Sequence, residues 1–198
     1  MRATATKGGG FERPTRIEIS MFVGGDSSDG YTDNLTAFGY SQDFLALAGG
    51  LSLTGLRQVT PRWWAGGLLA AESLPGWSRT VAGSTATQEL SLSTYTIAAV
   101  ARAEQPIGGG VSLYAQLAAG LGIGHTDLKG ADNMTYGHTT EGPAFSVGAG
   151  FHFEPRIFRG VGASVGWQYD YAPDIKDLIG DTHAAGGIRA SWSLTYGF

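Results

Sequence analysis

Along most of this chain, large apolar residues take every second position and small or polar residues fill the gaps. The run 111–124 is the cleanest. Val111, Leu113, Ala115, Leu117, Ala119, Leu121 and Ile123 alternate with Ser112, Tyr114, Gln116, Ala118, Gly120, Gly122 and Gly124. A β-strand sends successive side chains to opposite faces, so such a run predicts a strand that is apolar on one face only. In the run 145–153, Phe145, Val147, Ala149, Phe151 and Phe153 oppose Ser146, Gly148, Gly150 and His152. The run 161–171 sets Val161, Val165, Trp167, Tyr169 and Tyr171 against Gly162, Ser164, Gly166, Gln168 and Asp170. At 182–198, Ile188, Ala190, Trp192, Leu194, Tyr196 and Phe198 oppose Arg189, Ser191, Ser193, Thr195 and Gly197.

Four earlier runs, at 16–25, 37–54, 62–71 and 87–102, read as strands with complications. Between 37 and 54 the apolar parity changes, and a bulge near Asp43 reconciles the halves. The pairs Trp63-Trp64 and Leu68-Leu69 leave the facing of 62–71 open. In 87–102, Leu90 and Leu92 hold one parity, Ile97 and Ala99 the other. That makes eight strands at hairpin spacing. About ten residues rising ~3.3 Å each, tilted by about 40°, cross roughly 25 Å, the height of the apolar band of a membrane barrel. The prediction is an all-β, eight-stranded antiparallel up-and-down transmembrane β-barrel over 16–198. A flexible arm at 1–15 precedes it, and four long outer loops lie at 26–36, 72–86, 126–142 and 172–181. These loops carry Asp26, Asp29, Asp33, Glu72, Asp127, Asp132, Glu141, Asp174, Asp177 and Asp181, whereas the shorter connections hold Arg57, Arg62, Arg102, Arg156 and Arg159. Loop length and loop charge alternate together, as opposite ends of such a barrel require. Trp167, Tyr169 and Tyr171 are expected at the outer membrane–water boundary, and Trp192 and Tyr196 at the inner one.

Composition sharpens this. No run approaches the ~18 consecutive apolar residues of a membrane helix. The 32 glycines fall largely inside alternating stretches, where they allow tight curvature and keep inward volume small. Cysteine is absent, which removes thiolate and disulfide chemistry. A net charge of −4 gives no basic footprint for nucleic acid. Residues 1–16 hold no apolar h-region of a secretory signal. For an exported barrel the expectation is that such a signal was removed.

With strand count, loop asymmetry and the ending Trp192-Ser193-Leu194-Thr195-Tyr196-Gly197-Phe198 in place, the chain resembles the small eight-stranded outer-membrane barrels of the OmpA transmembrane domain, OmpX and opacity-protein class. The resemblance covers 16–198. It implies a location in the bacterial outer membrane, among its lipid and lipopolysaccharide. It implies that Trp192, Leu194, Tyr196 and Phe198 form the C-terminal signal read by the barrel-assembly machinery. It also implies a non-enzymatic role in envelope structure, adhesion or surface recognition through the outer loops. A narrow porin-like channel and a soluble lipocalin-like ligand-binding barrel are the alternatives.

Candidate chemistry is sparse. A lipid A deacylase of this size resembles a carrier of a His-x-Ser pair on one strand, and none of His125, His138, His152 and His183 fits that spacing. Asp174, Asp177 and Asp181 share a loop without calcium-loop spacing, so neither a metal nor a cofactor is expected. Divalent ions shared between these loops and lipopolysaccharide phosphates are a looser reading. Gly108-Gly109-Gly110 leads into a strand, not into the helix N-terminus that would cradle phosphate. The inward charges are more informative. Arg16, Glu18, Arg102, Gln116, His152, Gln168, Asp170 and Arg189 are expected to project into the lumen, where charges must pair or stay wet. The expectation is an ion-pair network of Glu18 with Arg189 or Arg102, with strand closure favouring Arg189. The competing reading has Gly120, Gly122, Gly148, Gly150, Gly162 and Gly166 lining a narrow water-filled pore.

Overall fold

The computed structural model describes residues 15–25, 29–42, 47–74, 76–83, 85–130, 132, 134–155, 157, 160–171 and 186–198. Ten strands and one helix follow in order. They are β1 (Thr15–Gly24), α1 (Asp29–Ala37), β2 (Ser41–Gln42), β3 (Ala48–Thr60), β4 (Trp63–Ser73), β5 (Trp77–Thr80), β6 (Thr87–Gly108), β7 (Val111–Lys129), β8 (Thr135–Phe153), β9 (Val161–Tyr171) and β10 (Gly186–Gly197). Eight of them close a ring in the order β1-β3-β4-β6-β7-β8-β9-β10, each antiparallel to its neighbours. The last joint pairs Arg16 with Gly197 and Gly24 with Arg189. Strands β2 and β5 stand outside the ring and extend its outer end, β5 on β6 and β2 on β5.

Closure removes every sheet edge within the ring, so no backbone polar group there faces hydrocarbon unpaired. The wall is greasy outside and polar inside. Leu51, Leu69, Ile97, Leu121, Phe145, Trp167, Trp192 and Leu194 are exposed, while Arg16, Glu18, Thr54, Thr94, Arg102, Ser164 and Arg189 are buried. That inversion is the signature of a barrel that meets lipid, and a soluble ligand-binding barrel would have it the other way round. The adjacent pairs resolve by the same logic. Trp64 turns inward and Trp63 outward, and Leu68 is half-buried while Leu69 is exposed.

Three expected loops carry structure. Residues 26–36 contain most of α1, whose Leu35 is fully buried. The second barrel strand is Ala48–Thr60 rather than 37–54, and the expected bulge near Asp43 lies outside the described residues. Residues 72–86 contain the end of β4 and all of β5. Residues 126–142 are mostly strand, because β7 and β8 pair from Val111–Phe153 up to Lys129–Thr135. Loop 172–181 lies outside the described residues, as does residues 1–14 of the expected arm.

The parity change on β6 has no bulge behind it, since its pairing with β7 is unbroken from Glu89 to Pro106. Leu90 and Leu92 face inward with Thr94, Ala98 and Val100. At the outer end the interior itself is apolar. There Leu90 and Leu92 pack with Leu35, Tyr40, Ala48, Leu74 and Trp77 against Leu128, forming a cap. A second cluster, Leu56, Trp64, Ala98, Val100 and Ala118, sits lower in the lumen.

Candidate functional site

Two features carry this molecule's chemistry, the charged layers inside the barrel and the apolar belt around it. The inner end of the lumen is held by four ionic side chains. Arg102 Nη1 and Nη2 donate to the two oxygens of Glu18 at 2.7 and 2.5 Å, a fork-to-fork pair. Arg102 Nε also donates to Gln116 Oε1 at 2.9 Å, and its guanidinium lies 4.7 Å from the Tyr114 ring centre. Thr195 Oγ1 donates to Glu18 Oε1 at 3.3 Å. Just below, Arg16 Nη1 donates to Glu104 Oε1 at 2.6 Å and stacks 4.2 Å above Trp64. Glu104 also lies 3.8 Å from Arg102, and Glu154 3.6 Å from Arg16. Strand alternation aims all four inward, and the inward charge is tolerable because each guanidinium has a carboxylate.

Arg189 does not join this layer. It pairs with Glu72, with Nε donating at 2.7 Å, and Nη1 donates to the carbonyl of Gly25. The expected preference for Glu18–Arg189 therefore gives way to Glu18–Arg102. Closure does make β1 and β10 neighbours, but the register sets Glu18 opposite Thr195 and Arg189 opposite Gly24. Six residues separate the two rows, roughly 20 Å along the strand. Adjacency of strands is readable from a sequence, and register is not. Glu72, assigned to a loop, and Glu104 and Gln116 were not singled out as partners. Glu104 carried a legible signal, since it stands two residues from Arg102 and so on the same face.

At Gly120, Gly148, Gly150, Gly162 and Gly166 an added methyl group would meet a neighbouring atom within 3.1 Å. A methyl group on Gly150 would run into the Val165 carbonyl and then the Tyr114 hydroxyl at 2.9 Å, and one on Gly166 would meet the Ala149 carbonyl and the Tyr114 hydroxyl, both at 2.5 Å, so both glycines let the strands close and leave room for the Tyr114 hydroxyl. On Gly50 it would meet the Phe22 ring at 2.5 Å. Small residues on one strand make room for large ones from another. Among the described residues, small cavities remain between the charged layers. One of about 50 Å³ lies by Phe22, Glu72, Ser146 and Asp170, and one of about 30 Å³ lies by Glu18, Arg102, Tyr114 and Ser191. Each holds a few waters at most.

The histidines distribute differently. His152 on β8 faces Ser164 across the β8–β9 pair, with Nδ1 and Oγ 2.9 Å apart, and Glu154 lies 3.7 Å from Nε2. His and Ser thus come together across strands and not within one. Both are buried inside the wall, beside the Arg16 layer. His125 lies on the outer surface near Asp127 and Thr139. His183 falls outside the described residues, with Asp174, Asp177 and Asp181. Among the described residues no three His, Cys, Asp or Glu side chains gather as metal ligands.

The belt is defined by where outward positions turn polar. On β6 it ends above Tyr95 at Ser93, on β7 above Ile123 at His125, and on β8 above Pro143 at Glu141. On β7 it runs from Ile123 down to Leu113, eleven residues and about 25 Å of height. Tyr169 and Tyr171 occupy the outer end of β9, and Tyr196 stands at the inner end with its ring 6.1 Å from that of Phe198. Trp167 and Trp192 do not sit at opposite ends as expected. Trp167 pairs with Ala190 and Trp192 with Val165, two residues apart, so both stand near mid-wall.

No known family profile and no curated protein matches this sequence. Solved structures do. Neisserial surface protein A aligns with a TM-score of 0.56 at 10% identity, over 93% of this chain and 97% of its own. Ail, the attachment invasion locus protein of Yersinia pestis, solved with the heparin analogue sucrose octasulfate, gives 0.49 at 17% identity over 92% and 97%. The N-terminal β-barrel domain of Pseudomonas aeruginosa OprF gives 0.43 at 13% over 92% and 97%. The chain has the fold of the small eight-stranded outer-membrane β-barrels.

Proposed function

We propose that this protein is a non-enzymatic barrel of the bacterial outer membrane, with a closed lumen, that works through its outer surface in envelope structure, adhesion or recognition. One observation carries the reading. Among the described residues, side chains fill the interior at successive levels: the Arg16–Glu104 and Glu18–Arg102 layers, Tyr114, Arg189–Glu72 and the apolar cap under α1. This filling supports a lumen closed to solutes, and leaves the exposed part to act. That part is substantial. Strands β6, β7 and β8 run 22, 19 and 19 residues, whereas the belt needs about ten. The excess stands above the membrane as a sheet continued by β5 and β2.

In this reading lipopolysaccharide and lipid surround the belt. Trp192, Leu194, Tyr196 and Phe198 present the inner-end pattern that the assembly machinery reads. The porin-like alternative predicts conductance. In planar bilayers the purified protein is expected to give no unitary current steps. Regular steps from the unmodified protein would overturn the closed-lumen reading and favour the channel.

A further inference from the structure

The wall is two-faced. Around β8, β9 and β10 it bristles with Phe145, Phe151, Trp167, Tyr169, Trp192 and Tyr196, while across β3, β4 and β6 its outward residues include Gly55, Ala65, Gly67, Ala71, Ala99 and Ala101. The small residues leave a trough. Its outer half, about 850 Å³, is lined by Leu51, Leu69, Ala71, Tyr95, Ile97 and Ile123, with Glu141 at its rim. A second hollow of about 410 Å³ shares Leu53, Leu69 and Ile97 with it and continues down past Gly55 and Gly67. Apolar concavities of about 300–1,000 Å³ with a few polar groups at one edge are the usual form of a small-molecule site.

The rim has a sign. Above the trough the outward positions of β7 and β8 are Glu141, His125 and Asp127, with Glu89 and Lys129 paired at 3.7 Å beyond them. Glu141 has no ion-pair partner among the described residues. A hydrocarbon groove with the carboxylate of Glu141 at its rim fits an amphiphile whose head carries a cation. We propose that this trough seats one acyl-chain lipid whose headgroup bears an ammonium, with its chains along Leu51, Leu69, Ala71 and Ile97 and its ammonium at Glu141. The proposal rests on the membrane position of the belt and is independent of the closed lumen, so its failure leaves that reading standing.

Native mass spectrometry of the detergent-purified chain, incubated with dipalmitoyl phosphatidylethanolamine or with the phosphatidylglycerol of the same chains, tests this. One phosphatidylethanolamine should be retained, about fivefold more readily than phosphatidylglycerol, the worth of an exposed ion pair. Glu141→Gln should keep the lipid and lose the preference. Ala71→Phe fills the trough from outside and should release both lipids while heat-shifted gel migration confirms a folded barrel. Equal retention of the two lipids, or retention untouched by Ala71→Phe, overturns the proposal. So does a dimer in place of the lipid that Ala71→Phe dissociates, since that would give the trough to a second copy of the chain.

Discussion

Removing Arg102 isolates a carboxylate in the middle of a membrane barrel, and the structure says how much that should cost. Glu18 is 1% exposed and Arg102 4%. In Arg102→Met, Glu18 keeps only the Thr195 hydroxyl at 3.3 Å among the direct contacts described above. Breaking a buried pair by deleting one partner costs about 3–5 kcal/mol, and this variant should fall at the upper end. In Glu18→Leu the orphan is Arg102, which retains Gln116 at 2.9 Å and Glu104 at 3.8 Å. Its cost should be nearer about 2–3 kcal/mol, the value of a charged hydrogen bond lost. The double variant Glu18→Leu/Arg102→Met leaves no orphan. It should recover to within about 1–2 kcal/mol of the unmodified protein, since apolar replacement of both partners is often neutral. The assay is urea unfolding from lipid vesicles, followed by tryptophan fluorescence and by heat-modifiable migration. Additive losses in the double variant would refute the pairing, as would single variants that both unfold like the parent.

Other outcomes follow from other parts of the molecule. Arg189→Leu removes the buried cation paired with Glu72 and should cost about 3 kcal/mol. Combined with Glu18→Leu its cost should simply add, because the two pairs share no partner; strong coupling in the same urea assay would argue against two separate layers. Gly166→Ala pushes a methyl group to 2.5 Å from the Tyr114 hydroxyl. It should destabilise by about 1–3 kcal/mol, and adding Tyr114→Phe should return part of the loss, which thermal unfolding will reveal. Leu35→Ala empties the buried anchor of α1. It should loosen the outer cap by about 2–5 kcal/mol and raise protease cleavage near 29–42 with the barrel intact; an unchanged digestion pattern would show that Leu35 does not hold the cap. Phe198→Ala should hardly alter unfolding of the assembled barrel, since the ring is exposed, yet lower the heat-modifiable fraction in cell membranes. Equal assembly would remove Phe198 from the assembly signal.

Much of the wall was legible because lipid and lumen impose opposite demands on alternate residues. Where both media are constant along a strand, as from Leu113 to Ile123, the pattern is unambiguous. Legibility failed where a medium changed. Leu90 and Leu92 have the inward parity of Thr94 and Ala98, but they read as a phase error because the lumen turns apolar beneath α1. The helix was hidden because Asp29–Ala37 is rich in glycine, threonine, aspartate and asparagine, poor helix formers held in place by Leu35. The long outer hairpin of β7 and β8 was hidden because neither face meets lipid, so its strands carry no alternation. The charged layer was legible in its members and not in its pairing. Arg16, Glu18 and Arg102 were placed in one network, whereas Arg189 belongs to another, a matter of register that no local pattern encodes.

The wall turns one face to hydrocarbon and the other to the side chains of the interior, and two tryptophans can report on both sides. Trp192 points outward near mid-wall and Trp64 inward over Arg16. Single-tryptophan variants, keeping Trp192 or Trp64 alone of the five, folded into vesicles of lipid brominated along the acyl chain, should differ sharply. Trp192 fluorescence should be strongly quenched and Trp64 fluorescence nearly untouched. Equal quenching, or quenching of Trp64 alone, would contradict the account.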